Sequence, residues 1–147
     1  RRIISAKGEQ SVSKQALGIL ITGYCVKAFL NGNPPLSTFD LVKLTGTNLA
    51  TIQEIVEELQ DKFILIQVRY EQVDECYQPA KDAHKITIQD VSNALNDSLT
   101  ERYYVSSENA TLIQKHIKEL DAIVASSGLN LTLGELGIAY GTNMGRP

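Results

Sequence analysis

NLATIQEIVEELQDKFILIQVRYEQVDECY, residues 48–77, is the stretch that decides how the chain is read. Asn48 is a helix-capping residue type, and after it Leu49, Ile52, Ile55, Val56 and Leu59 recur at helical spacing. The period then changes. Phe63 to Tyr70 is aliphatic, β-branched or aromatic, which predicts a strand. A polar break over Glu71 to Glu75 leads to a short second strand, Cys76 to Gln78, stopped by Pro79. The stretch is a helix that runs directly into a β-hairpin.

Upstream, Ser11 or Ser13 caps a first long helix that runs to about Leu30 and ends at Asn31-Gly32. Its apolar side chains cover nearly the whole circumference, so more than one face must be buried. The apolar run is shorter than the 20 or so residues a membrane span needs and has Lys27 inside it, so it predicts a core helix. Pro34-Pro35-Leu36 is an extended link that supplies a short first strand. Ser37 caps a second helix with Asp40 in a capping-box arrangement, Phe39, Leu41, Val42 and Leu44 facing inward, and Thr45-Gly46 as the turn. Three helices followed by a hairpin make an α+β chain of the winged-helix class, a helix-turn-helix plus a β-hairpin wing.

Downstream, Thr87 caps a short helix through Ile88, Val91, Ala94 and Leu95. The expected organisation is an arm over 1–12, the winged-helix domain over 13–97, a linker over 98–108, an additional C-terminal helix over 109–127 and a flexible tail over 128–147. Ile113, Ile117, Leu120 and Val124 recur at spacings of four, three and four, the pattern of a coiled-coil seam and a candidate homodimer interface. Leu129, Leu131 and Leu133 alternate and suit a strand.

The chain has 147 residues, 43% hydrophobic and 21% charged, with a formal charge of −3. It is an ordinary globular composition, without the basic excess of a phosphate-binding protein. Cys25 and Cys76, far apart in sequence, read as buried thiols in a reducing compartment rather than a disulfide or a metal pair. The chain opens Arg1-Arg2-Ile3-Ile4 with neither initiator methionine nor signal peptide, and is read as an excised piece of a longer protein.

With the element order in hand, the hairpin followed by Tyr77-Gln78-Pro79-Ala80 and by Ile86-Thr87-Ile88-Gln89-Asp90-Val91 resembles bacterial winged-helix repressors of the IscR and CymR type over residues 14–96. Residues 32–95 also resemble the cytosolic tail of YihY/BrkB (ribonuclease BN-like) inner-membrane proteins. The resemblance is carried by Asn33-Pro34-Pro35-Leu36-Ser37, Tyr77-Gln78-Pro79-Ala80 and Lys85-Ile86-Thr87-Ile88. That second resemblance implies a cytoplasmic domain attached to the bacterial inner membrane through an upstream segment. Arg1-Arg2 would then stand on the cytoplasmic side.

The chemistry separates the function classes. His84 and His116 are the only histidines, and no HExxH, nucleophile elbow or phosphate-binding loop occurs, so no catalytic role, metal or cofactor is expected. The cluster of the iron–sulfur repressors is not carried over, because no cysteine follows Cys76. Thr47, Asn48, Thr51, Gln53, Glu54 and the wing's Arg69 offer groups to DNA. Against this, Glu54, Glu57, Glu58 and Asp61 face a single Lys62, and Glu71, Asp74 and Glu75 face a single Arg69. Acidic elements are repelled by phosphates, so nucleic acid is not the expected partner. The expectation is a non-catalytic module for protein interaction or self-association, with a DNA-binding regulator as the alternative.

Overall fold

In a computed structural model, the structure describes residues 9–95, 102–106, 111, 115, 118 and 132–135. Nine elements follow in order: β1 (Glu9–Ser13), α1 (Lys14–Leu30), β2 (Leu36–Ser37), α2 (Thr38–Thr45), α3 (Leu49–Asp61), β3 (Leu65–Tyr70), β4 (Val73–Pro79), α4 (Ile88–Ala94) and β5 (Arg102–Ser106).

Each helix starts where a short polar side chain can take up an orphan amide. The Ser13 hydroxyl accepts from the Ala16 amide at 3.1 Å, and Asn48 Oδ1 accepts from the Thr51 amide at 2.9 Å. Reciprocal capping boxes start α2 (Ser37 with Asp40) and α4 (Thr87 with Asp90). The ends of α1 and α3 share one device. Asn33 donates to the Ala28 carbonyl and Ile64 to the Leu59 carbonyl, each across a residue with positive φ. In α1 that residue is Gly32, at 74°. In α3 it is Phe63, at 61°, which therefore ends the helix instead of starting the strand.

The molecule is wrapped around α1. Leu17, Ile21 and Tyr24 on one face and Val26 on the opposite one are fully enclosed. Packed on it are α3, α4, β1, β2, β4 and β5. At Gly18 a side chain would overlap Leu95, so the glycine sets how closely α4 approaches. The need to bury more than one face of α1 is thus met within one chain, with Phe29 near its end left exposed.

Antiparallel strands in the order β2-β4-β3 form the wing sheet, with Leu36 opposite Tyr77 and Val68 opposite Cys76. The expected polar break over 71–75 shrinks to a two-residue turn. Tyr70 pairs with Val73, so Asp74 and Glu75 lie in β4, kept in strand by pairing rather than by composition. Phe39, expected inside, is 67% exposed.

The segments expected as arm and linker meet. Strands β1 and β5 pair antiparallel from Glu9 opposite Ser106 to Ser13 opposite Arg102. Part of the expected tail is docked too. The Leu133 amide donates to the Ile86 carbonyl at 2.8 Å, Thr132 bridges Thr87, and Lys27 Nζ donates to the Gly134 carbonyl at 2.9 Å. Leu133 is fully buried there. Thr111, Lys115 and Lys118 are helical and exposed, while Ile113, Ile117, Leu120 and Val124 lie outside the described residues. Among the described residues, no helix is long and apolar enough to cross a membrane.

Candidate functional site: the recognition helix and the wing

The turn between α2 and α3 is built from local polar side chains. Gly46 takes a φ of 73° and donates to the Val42 carbonyl, closing α2. The Thr45 hydroxyl donates to the Leu41 carbonyl at 2.8 Å and accepts from the Thr47 amide at 3.1 Å. Beyond it, α3 buries the stripe Ile52, Ile55, Val56 and Leu59 and turns its other side outward. Leu49, expected on the buried stripe, is 37% exposed.

The side chains expected to offer groups to DNA divide sharply. Thr47 is buried, and its hydroxyl donates to the Tyr104 carbonyl of β5 at 3.2 Å, so it holds the fold together instead of facing a groove. Asn48 spends its carbonyl oxygen on the helix cap. Thr51 is half-buried and Gln53 exposed. Arg69 is exposed on the wing, its Nε 3.2 Å from Asp74 Oδ1. Around the start of α3 lies a cleft of about 590 Å³, lined by Thr47, Asn48, Thr51, Tyr103 and Tyr104 among others. The tyrosines of β5 therefore crowd the helix end that a major-groove reader inserts.

One cation lies under α3, and it is already committed. Lys14, at the first position of α1, is 2% exposed, with Nζ 2.6 Å from Glu58 Oε2 and 4.0 Å from Glu54 Oε2. The Tyr103 hydroxyl donates to the Glu54 carboxylate at 3.5 Å, at the limit of a hydrogen bond. A buried ammonium needs such partners, since an isolated charge there costs several kcal/mol (roughly) in lost hydration. Lys14 thus locks α3 onto α1, a role the sequence could not assign because its partners lie some forty positions away.

Both cysteines are free and buried. Burial, with the Asp40 charge adding to it, pushes the Cys25 thiol up to about 12, which keeps it protonated and unreactive. Burial raises the Cys76 thiol as well. The Tyr77 hydroxyl, 3.3 Å from Thr38 Oγ1, is also raised by burial. The Asp82 carboxyl is held below the ordinary range, first by the His84 backbone amide at 3.0 Å. His116 lies outside the described residues. Among those residues, no three His, Cys, Asp or Glu side chains are grouped to hold a metal ion.

No protein-family model matches the chain, and no curated protein matches its sequence. Solved structures do resemble it. Staphylococcus aureus CymR is 20% identical, with a TM-score of 0.54 over 82% of this chain and 91% of that one. A Listeria innocua protein described provisionally as a transcriptional regulator is 16% identical, with a TM-score of 0.52 over 83% and 81%. Likeness at this identity establishes the fold: an α+β winged helix of the CymR kind.

Proposed function

We propose that the chain is a winged-helix module that works through protein contacts, its α3 and wing surface meeting a protein rather than duplex DNA. The charge of that surface carries the reading. Glu54, Glu57 and Asp61 are exposed on α3, as are Glu71, Asp74 and Glu75 on the wing, while Lys14 is buried in its own ion pairs. Affinity for a duplex rests mostly on cations placed against phosphates, and here those six exposed carboxylates outnumber the exposed Lys62 and Arg69. The test is a titration of labelled duplexes against the full chain at low ionic strength. No salt-sensitive binding is expected. Tight, sequence-selective binding lost in Asn48→Ala or Arg69→Ala would remove the reading.

A second reading, a DNA-binding transcriptional regulator, is favoured by the likeness to CymR and to the Listeria innocua protein. Those likenesses support it better than they support a membrane-linked role. In it Thr51 and Gln53 of α3 and Arg69 of the wing would meet the duplex, and the same titration decides for it. An inner-membrane setting rests on the sequence resemblance of residues 32–95 alone.

Self-association through Ile113, Ile117, Leu120 and Val124 belongs to the proposal on the strength of their heptad spacing. Light scattering at micromolar concentration should give a dimer mass, and Leu120→Glu should reduce it to the monomer with the winged helix still folded. A monomer mass for the unaltered chain removes the seam.

A further inference from the structure

We infer that the cleft between the start of α3 and β5 is a binding site for a small uncharged aromatic molecule bearing a carbonyl group, of the aromatic carboxamide kind. The site lies beside the surface assigned to protein contacts and does not depend on that assignment.

The cleft measures about 590 Å³, inside the range of roughly 300–1,000 Å³ typical of small-molecule pockets. One side of it is a flat aromatic wall. The backbone of Tyr104 is tied down where its carbonyl accepts from the Thr47 hydroxyl, yet its side chain is 58% exposed. A ring laid against that platform would stack on it.

Part of the polar lining is already spoken for. The Thr47 hydroxyl is held by the Tyr104 carbonyl, and the Tyr103 hydroxyl reaches Glu54. The remainder is available. Asn48 spends its side-chain oxygen on the Thr51 amide, which orients the group and leaves the Nδ2 hydrogens to donate. The side-chain hydroxyls of Thr51 and Tyr104 have no partner among the described residues. A fixed amide donor beside two hydroxyls calls for a carbonyl acceptor.

The lining carries no formal charge. The charged side chains described next to it are exposed Lys43, beside Val42 in sequence, and Glu54, and their signs oppose. Lys14 is buried and held by Glu58. Neither an anion nor a cation is therefore selected, and the open helix end is served by Asn48. A base inside a duplex offers only its edge, because its faces are stacked on its neighbours, so it cannot lie on Tyr104. The cleft suits a free, uncharged ring.

The test follows the backbone amide resonances of the full chain as benzamide is added. Those of Thr51 and Tyr104 should shift saturably, with a dissociation constant on the order of 1 mM for so small a ligand. Benzoate and benzylamine, anionic and cationic at neutral pH, should bind about tenfold more weakly, because neither charge finds a partner. Cyclohexanecarboxamide, which cannot stack, should lose about fivefold. Asn48→Asp keeps a helix cap but loses the donor, and Tyr104→Ala loses the platform. Each should cost about fivefold with the fold retained by circular dichroism. No saturable shift at these residues, equal binding of either charged ring, or indifference of either variant overturns the inference. So does tighter binding of an oligothymidylate at the same residues, which would make the cleft a nucleic-acid site. The duplex titration decides the protein-contact reading separately.

Discussion

Helices α1 and α3 lie in contact and are used in opposite ways. In α1, Leu17, Ile21, Tyr24 and Val26 are all enclosed, and its only large exposed side chain is Phe29. In α3 one stripe is buried and the acidic side left to solvent. The first is an axle that tolerates no change of volume. The second is a presented surface, and its outward side chains are free to be chosen for a partner.

The largest expected effect tests the axle. Ile21 is fully buried, so Ile21→Ala should lower stability by about 2–5 kcal/mol, the lost transfer free energy plus the cavity left behind. Gln53→Ala on α3 should stay within about 0.5 kcal/mol. Urea unfolding measures both, and similar losses at the two positions would break the comparison.

The next effect is seen along the pH axis. Burial pushes the Tyr24 hydroxyl from 10.0 up to about 12, and the Cys25 thiol from 9.0 to about 12. The folded chain holds these protons more tightly than the unfolded one. Their stabilisation is therefore fully present below pH 9 and is lost as the pH climbs toward 12. Tyr24 alone accounts for about 2–3 kcal/mol of that loss. Its hydroxyl is buried without a hydrogen-bond partner among the described residues, so Tyr24→Phe should be well tolerated at neutral pH and should flatten the decline above pH 10. An unchanged decline would mean that other groups set the alkaline limit.

The smallest effect lies where the two helices end alike. Gly32 adopts its positive φ at no steric cost, whereas Phe63 adopts the same geometry with a side chain that is 75% exposed. Relief of left-handed strain, partly offset by the freedom glycine gains in the unfolded chain, should make Phe63→Gly more stable by about 1 kcal/mol. Destabilisation would show that the phenyl ring packs on the wing.

How far the sequence could be read follows from how local each signal is. Ser13, Ser37, Asn48 and Thr87 cap the helices they were expected to cap, because a cap is written within four residues. The buried stripe of α3 was legible for the same reason. The pairing of β1 with β5 was not, since Val12 is the one apolar residue of β1 and its partners lie some ninety positions away. Tyr103-Tyr104-Val105 carries a strand signal inside the expected linker. The candidate site fared worse. Thr47 has the right chemistry for a base contact and stands just before the cap of α3, but a carbonyl from β5 claims its hydroxyl. The acidic balance of α3 and the wing survives in three dimensions as exposed charge, because side chains that cannot be buried stay outside.

The docking of Leu133 on Ile86 bears on the order of assembly. The amide and carbonyl are separated by 47 positions, and closing a loop of that length costs about 3 kcal/mol in chain entropy. Strands β1 and β5, paired from Glu9 to Ser106, span a still longer loop. Neither contact is local, so each is expected to form on a surface that already exists. The contacts closest in sequence are those of α2 with α3 and of β3 with β4, and local contacts form fastest. The helix-turn-helix and the hairpin, whose contacts are local, are expected to gain protection in pulsed hydrogen exchange before the two outlying segments do.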